Sequence, residues 1–529
     1  MSDLVMAIDV GTGSARAAVF DRQGGKLGRA AHPIRMNRPD AAIAEQSSDD
    51  IWRAVCLAAK EARKMAAVGP SAIVGIGFDA TCSLVVLDAD GRPVSVSDSG
   101  DPTLDIIAWL DHRALAEAED CTASGHHILD YLGGSMSPEM QIPKLMWLKR
   151  RLPERWRKVG RLFDLADFLT WRATGSEKRS HGTLTCKWTY LGHENQGWQT
   201  DFLAEMGLAD LLERGGLPET AAPVGSDLGP LSKGAAEDLG LTVDCRVGAG
   251  LIDAHAGVLG GLAGRLSGSD VELRRQAALM IGTSSSVMAL SPDPTFIRGA
   301  WGPHFGAVLP GCWVYDAGQS ASGALLDHIV RSHGEGGEPD AAMHRRIVDR
   351  IIELRSEEGG QFGSGLHVLP DFHGNRSPLA APSAVGVLSG LRLDTSFDGL
   401  CRLYWRAAVG LALGIRQILE NLDAHGFAIE RLHAAGGHTK SPALMQLYAD
   451  ATGCTLIETD DDDTVLRGTA AVAASAAGLH QDLSKAAGVY AQPGRRRLPD
   501  ARHARQLDDD YRVHLEMQKH RQVLESLST

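Results

Sequence analysis

Leu4-Val5-Met6-Ala7-Ile8-Asp9-Val10-Gly11-Thr12-Gly13-Ser14 is an apolar run that breaks into a turn of small residues. The chain then becomes apolar again over Ala17-Ala18-Val19-Phe20, so the segment predicts a β-hairpin with a Gly–Thr tip. Half a chain later the plan returns: Ala277-Ala278-Leu279-Met280-Ile281 enters Gly282-Thr283-Ser284-Ser285-Ser286 and leaves through Val287-Met288-Ala289-Leu290. A tip of this kind presents open backbone N–H groups and hydroxyls, which suits a phosphate chain. Two tips in matching contexts predict a duplicated domain holding one nucleotide from both sides.

Working outward, 529 residues are too many for a single hydrophobic core, so two or more domains are expected. The formal net charge of -13 argues against a nucleic-acid surface or an anionic membrane as partner, while leaving room for a local cationic phosphate pocket. No apolar run reaches the roughly 18 residues of a membrane span. The first residues lack the basic region and cleavage site of a secretory leader. The eight cysteines are scattered with no CxxC pair, which argues against a metal cluster or disulfide framework and fits a cytoplasmic enzyme.

Alternating patterns over the first half imply an α/β domain. A third strand is expected around Lys26 to Ile34, and Gln46-Ser47-Ser48-Asp49-Asp50 offers caps for a helix from Ile51. Ala72 to Phe78 reads as a buried strand, and helices are expected around Pro143 to Arg150 and Leu162 to Arg172. The polar stretch Gly264 to Gln276 reads as the connector between halves. Beyond it, helices are expected from about Ser320 to Arg331, from Cys401 to Ala424 and from near Ser441, with a charged helical tail after Pro493.

Asp9, at the end of the first strand, is either a turn-forming residue or a carboxylate that holds Mg²⁺ beside nucleotide phosphates. Arg16 is either a surface cation or a phosphate ligand. Asp253 lies among apolar and small residues in Gly250-Leu251-Ile252-Asp253-Ala254-His255-Ala256-Gly257, where burial needs a reason. It caps the following helix, or it acts as a general base for a hydroxyl that attacks a γ-phosphate. Gly436-Gly437-His438-Thr439-Lys440-Ser441 is a strand–turn–helix corner or a shelf for adenine and ribose. No GxxxxGK[ST] loop, HExxH or complete GxGxxG is present. Asp460 to Asp463 and Arg495-Arg496-Arg497 read as solvated surface, and His255 as structural.

Taken together, the two loops, Asp253 and the glycine pair resemble the FGGY carbohydrate kinases, from Val5 to about Gly478. Within that family, four strings are similar to the D-ribulokinase branch: Gly77-Phe78-Asp79-Ala80-Thr81-Cys82-Ser83-Leu84-Val85, Trp109-Leu110-Asp111-His112-Arg113, Cys186-Lys187-Trp188 and Pro370-Asp371-Phe372-His373-Gly374-Asn375-Arg376-Ser377-Pro378. The resemblance implies an α/β fold of two actin-like ATPase (ribonuclease-H-like) domains with a nucleotide and sugar cleft between them. Its implied division is residues 1–264, 265–485 and a tail over 486–529.

It also implies ATP and Mg²⁺, with Asp9 at the metal. Thr12, Gly13, Ser14 and Arg16 match the first phosphate loop, Gly282 and Thr283 the second. Gly323 and Asp327 stand at nucleotide positions, and Gly437 with Ser441 at the adenosine site. On the sugar side are Ala80, Thr81, Asp111, Glu139, Lys187 and Asp316, the last standing where Glu is expected; Asp253 matches the catalytic aspartate. The implied reaction is ATP-dependent phosphorylation of the terminal hydroxyl of a ketopentose, D-ribulose first. L-ribulose, D-xylulose or a polyol such as ribitol are alternative substrates, and an actin- or Hsp70-like ATPase is the rival class. Dimers occur in the family, so a homodimer is allowed.

Overall fold

The computed structural model describes residues 3–262, 270–359, 362–459 and 463–528. Two seven-stranded sheets dominate it. The first contains β1 (Leu4–Val10), β2 (Ser14–Phe20), β3 (Lys26–Pro33), β4 (Ile73–Ala80), β5 (Asp227–Pro230) and β6 (Arg246–Gly248) in the order β3-β2-β1-β4-β6-β5, with β7 (Leu251–Ile252) beside β4. The second contains β8 (Gln276–Ile281), β9 (Ser285–Ser291), β10 (Trp301–Phe305), β11 (Trp313–Gln319), β12 (Arg431–Ala435), β13 (Thr455–Glu458) and β14 (Arg495–Arg497) in the order β10-β11-β9-β8-β12-β13-β14.

The two sheets share a plan. β1 is antiparallel to β2 and parallel to β4, and β8 is antiparallel to β9 and parallel to β12. Each Gly–Thr stretch is therefore the tip of a hairpin that leaves the carboxyl end of a central strand. This is the expected fold class, two actin-like α/β units. All seven residues of β1 are buried, because helices cover both faces of its sheet, and that explains its unbroken apolar reading.

On one face lies α1 (Ser48–Met65), whose N-cap Ser47 accepts the Asp50 amide, as the capping residues before Ile51 suggest. The later helices used below are α2 (Asp253–Gly261), α3 (Gly323–Ser332), α4 (Ala341–Glu358), α5 (Phe397–Asp423), α6 (Pro442–Thr452), α7 (Thr464–Ala476) and α8 (Ala501–Ser528). α7 packs on β1 and β4 and crosses α2. The crossing is close: a Cβ on Gly260 would lie 2.0 Å from the Thr464 carbonyl, and one on Gly468 would lie 2.0 Å from the Ala256 carbonyl. One apolar cluster runs through it, joining Val5, Ala7 and Phe20 to Ala278, Met288 and Leu290 by way of Leu259 and Ala470.

Several local expectations change. Leu162 to Arg172 is not one helix. Arg161–Asp164 is a strand paired with Leu84–Leu87, and the helix occupies Leu165–Thr174. Arg495 to Arg497 lie at the surface as read, but they are ordered there: they form edge strand β14, and Arg495 and Arg497 close on buried Glu458. Asp463 is buried too, 2.6 Å from Lys26 Nζ and 2.8 Å from Arg29 Nε. Residues 460–462, most of the connector and the 264/265 boundary lie outside the described residues. No disulfide joins any two cysteines. Among the described residues no helix is long and apolar enough to cross a membrane.

Candidate active site

Three carboxylates stand at the carboxyl ends of three neighbouring parallel strands. β1 pairs Asp9 with Asp79 of β4. β7 pairs Leu251 with Asp79 and runs directly into Asp253, the first residue of α2. This is the carboxyl edge of a parallel sheet, the edge at which open α/β sheets bind their ligands, and α2 begins there. Burial pushes the Asp9 carboxyl up to about 6, against the pull of the Arg16 guanidinium. Burial and the neighbouring Asp9 push Asp79 well above the usual range, and the Thr469 hydroxyl of α7 is hydrogen-bonded to it.

Asp253 is also raised by burial, while the Ala254 amide, Arg16 and Lys187 pull the other way. The amide donates to Oδ1 at 2.7 Å, but Ile252, not Asp253, takes the N-cap of α2. The carboxylate thus meets a first-turn amide through Oδ1, and Oδ2 makes no such bond among the described residues. A carboxylate made more basic by burial is suited to accept a hydroxyl proton.

The first Gly–Thr tip is tied down from several directions. Trp109 Nε1 donates to Thr12 Oγ1 at 3.1 Å, Gln46 Nε2 to the Thr12 carbonyl at 3.2 Å, and the Ile34 amide to the Gly13 carbonyl at 3.1 Å. The Gly11 amide donates to the Ser14 carbonyl at 3.1 Å. Arg16 lies over this tip with Nε 3.2 Å from Asp9 Oδ2, and a Cβ on Gly11 would come within 2.6 Å of its Nη2. Glycine at position 11 is thus what lets the guanidinium lie there.

The second tip docks on α3. Gly323 N and Ser322 Oγ donate to the Gly282 carbonyl at 3.0 and 2.9 Å, and the amides of Ser322 and Ala324 donate to the Thr283 carbonyl. Asp327, one turn on, is 2.9 Å from His344 Nε2 of α4, whose Nδ1 is 2.9 Å from the Tyr404 hydroxyl. At the corner after β12, Gly436 has φ +106°, and a Cβ there would meet the Ile281 carbonyl at 2.3 Å. Gly437 is exposed with open space beside it, and Ser441 caps α6. The corner and shelf readings are compatible, since the tight glycine is the first and the open one the second.

A second cluster gathers around Trp301: Lys187 Nζ sits 4.5 Å from the centre of its ring, and the Arg376 guanidinium carbon sits 4.7 Å from it. Burial works against the Lys187 ammonium, yet Cys82, Cys186, Glu139 and Asp316 together raise its pKa. Although partly desolvated, Glu139 is held down to about 2 by His112, Lys187 and Arg376. Asp316 Oδ1 accepts from Arg376 Nη2 at 3.1 Å. Ala80 and Thr81 are buried at the end of β4, with Thr81 Oγ1 3.2 Å from Ser83 Oγ.

Asp111 is a correction. It is fully buried, and its oxygens accept from the Ala44 amide and from the amide, Nε and Nη2 of Arg113. Its carboxylate shapes the Trp109–Arg113 turn and has no lone pair directed to a sugar.

The acidic edge of the sheet fits a hydrated divalent cation. Asp9 Oδ1 and Asp79 Oδ1 are buried without a hydrogen-bond donor, and Asp9 Oδ2 faces the Arg16 guanidinium at 3.2 Å. Among the described residues no group of three ligating side chains is preassembled. That pattern suits Mg²⁺, which keeps waters and takes one or two carboxylates together with substrate phosphates. Asp79 and Arg376 carry no role in the sequence reading. An aspartate directly after the apolar run Ile73-Val74-Gly75-Ile76-Gly77-Phe78 signals the first, whereas an arginine in a Gly/Asn/Pro loop gives no comparable signal.

Family models for the N-terminal and C-terminal domains of the FGGY family of carbohydrate kinases match residues 4–260 and 277–477. A Xenopus laevis FGGY carbohydrate kinase domain-containing protein is 39% identical over 540 residues, 99% of this chain and 97% of its own. A D-ribulokinase of Saccharomyces cerevisiae is 35% identical over 490 residues, 85% of this chain and 68% of its own. Among solved structures, a xylulose kinase from Rhodospirillum rubrum superposes with a TM-score of 0.78 at 21% identity, covering 97% of this chain and 98% of that one. At that identity the likeness concerns the fold.

Proposed function

Because the chain belongs to the FGGY family of carbohydrate kinases and is an ATP-dependent sugar kinase, we propose that its acceptor is an open-chain ketopentose, D-ribulose first, and its product D-ribulose 5-phosphate. The observation that carries this reading is the position of Asp253. It follows β7 at the carboxyl edge of the sheet, next to Asp79, and its charge interacts with Asp9 and Arg16 of the first Gly–Thr tip and with Lys187, which Glu139 and Asp316 also influence. The similarity to a yeast D-ribulokinase supports the choice of sugar. Within this reading residues 1–264 carry the sugar side and first loop, residues 265–485 the adenosine side, and residues 486–529 are an appended tail.

In the proposed mechanism the Gly11–Ser14 and Gly282–Thr283 tips hold the phosphate chain through backbone N–H groups and hydroxyls. Gly437 and Ser441 flank adenosine, with Gly323 and Asp327 beside the phosphates. Ala80, Thr81, Glu139, Lys187 and Asp316 orient the pentulose so that its terminal hydroxyl faces Asp253. Asp253 accepts the hydroxyl proton as that oxygen bonds to the γ-phosphorus and the bond to the β,γ-bridging oxygen breaks, releasing ADP. A bound Mg²⁺, held by Asp9, would offset negative charge on the β- and γ-phosphates. Positioning carries most of the rate, because phosphoryl transfer needs little covalent help from the protein.

The test is coupled ADP release across ketopentoses, ketohexoses and polyols, with the product identified by ³¹P NMR. D-ribulose is expected to give the highest kcat/KM and a 5-phosphate. A higher value for L-ribulose, D-xylulose or ribitol would overturn the substrate while keeping the reaction.

A further inference from the structure

We propose that Arg376 is a sugar-reading residue of this kinase and that the C-terminal helix α8 positions it through a buried Asp371–Arg521 ion pair. The proposal rests on the pentulose-kinase reading above. Arg376 Nη2 donates to Ser286 Oγ, next to the second phosphate tip, at 3.0 Å and to Asp316 Oδ1 at 3.1 Å. Its face lies on Trp301 together with Lys187, and its charge adds to His112 and Lys187 in lowering the Glu139 pKa. Its Nε is buried and has no hydrogen-bond partner. A Cβ on Gly318 would come within 2.3 Å of Nη2, so the backbone of β11 is shaped to admit the guanidinium. An arginine fixed on an aromatic face, with one N–H unsatisfied among residues of the sugar side, is a ready donor to a hydroxyl or carbonyl oxygen of a polyhydroxy substrate.

The loop that carries Arg376 is held by its own bonds, Ser377 Oγ accepting from the Gly318 amide at 3.1 Å and Asn375 exchanging backbone bonds with Ala381, and also from a distance. Pro370–Pro378 is a loop without regular secondary structure that crosses toward the first half, where the rings of His373 and His112 stack with centres 5.9 Å apart. Asn375 Nδ2 donates to Asp371 Oδ1 at 3.0 Å, and Arg521 of α8 donates to Asp371 Oδ2 and to the Val385 carbonyl. Asp371 and Arg521 are both buried. A second buried pair fastens the same helix: Arg406 donates to both oxygens of Asp510 at 2.8 and 2.6 Å. Gln417 and Gln518 exchange hydrogen bonds at 2.9 Å between these anchors. A helix serving only as a solvated tail has no need of two desolvated ion pairs, each of which is costly unless its geometry is maintained. α8 therefore works as a strap under the Arg376 loop, with Arg521 as a positioning residue.

The test uses the full-length chain and its R376Q, R521Q, R376Q/R521Q and D371N/R521Q variants, assayed with the pentulose that wild type turns over fastest. R376Q is expected to raise the sugar KM by about tenfold or more, the scale of a lost polar contact to substrate. R521Q should raise it severalfold while the ATP KM stays within about twofold, because only the sugar end is displaced. The R376Q/R521Q double should be no worse than R376Q alone. D371N/R521Q, which leaves no unpaired buried charge, should keep the fold and still show the raised sugar KM.

Trp301 fluorescence, taken as the difference between each protein and its W301F counterpart, gives a readout without substrate; it should shift in R521Q as in R376Q. R521Q that lowers Tm yet leaves the sugar KM and the Trp301 signal at wild-type values would overturn the strap, and so would additive effects in the R376Q/R521Q double. A wild type that phosphorylates no pentulose, with the Trp301 signal still shifted in R521Q, would sink the substrate reading and support the positioning.

Discussion

Asp253 illustrates how burial sets chemistry at a single residue. Its carboxyl is raised by desolvation, so the base form is lost at a higher pH than for an ordinary aspartate. A general base works only when ionised, so kcat/KM should fall as pH drops through that raised value, giving an acid limb displaced above the usual carboxylate range. A pH–rate profile with no acid limb above that range would contradict the assignment. Gly11 gives a second residue-scale prediction. Gly11→Ala meets the far end of the flexible Arg16 side chain rather than backbone, so Tm should barely move. Arg16 should be lifted off Asp9, and the KM for ATP should rise about fivefold or more as a charged contact to phosphate weakens. An unchanged KM for ATP in Gly11→Ala would remove Arg16 from the phosphate site.

Most of these residues could be found in the sequence because their surroundings constrain them. Asp9 and Asp253 interrupt apolar runs, and a buried charge without a reason is rare. Asp111 misled for the same cause: its string suggests a sugar contact, but its partners Ala44 and Arg113 become visible only once the chain folds.

At the scale of elements, the α2–α7 crossing couples the two halves. α2 begins at Asp253, and α7 carries Thr469, which is hydrogen-bonded to Asp79. Gly260 and Gly468 let the backbones touch, so a side chain at either position must force the helices apart. Gly468→Val should cost about 2–3 kcal/mol as overpacking of a close-packed contact and should lower kcat along with Tm, since Asp253 moves with α2. Thermal unfolding and kinetics on the same preparation check this; an unaltered kcat in a destabilised variant would uncouple the crossing from the site.

The strands around the two tips were readable because period, length and turn chemistry agree there. The strand Arg161–Asp164 was not, since Leu162-Phe163 fits helix or strand equally and only pairing with Leu84–Leu87 decides. β14 escaped notice for a related reason: three arginines have no strand signature, and the strand exists because Glu458 awaits them at the sheet edge.

Across the whole molecule, a duplicated sheet plan puts one Gly–Thr tip on each half, with Asp9, Asp79 and Asp253 on the first half and the Gly436–Gly437 corner on the second. The duplication was legible from the two Gly–Thr hairpins. The contribution of α8 was not, because Arg521 and Asp371 lie 150 positions apart and no local pattern links them. Long-range ion pairs of this type belong to tertiary structure alone.

The measurement that bears most directly on the account is sugar-dependent ADP formation by Asp253→Asn beside wild type, with ADP affinity measured by calorimetry on both. The account predicts that kcat falls by roughly 10²- to 10⁴-fold, the usual contribution of a positioned base, while ADP affinity stays within about twofold. A variant that retains near wild-type kcat would contradict it.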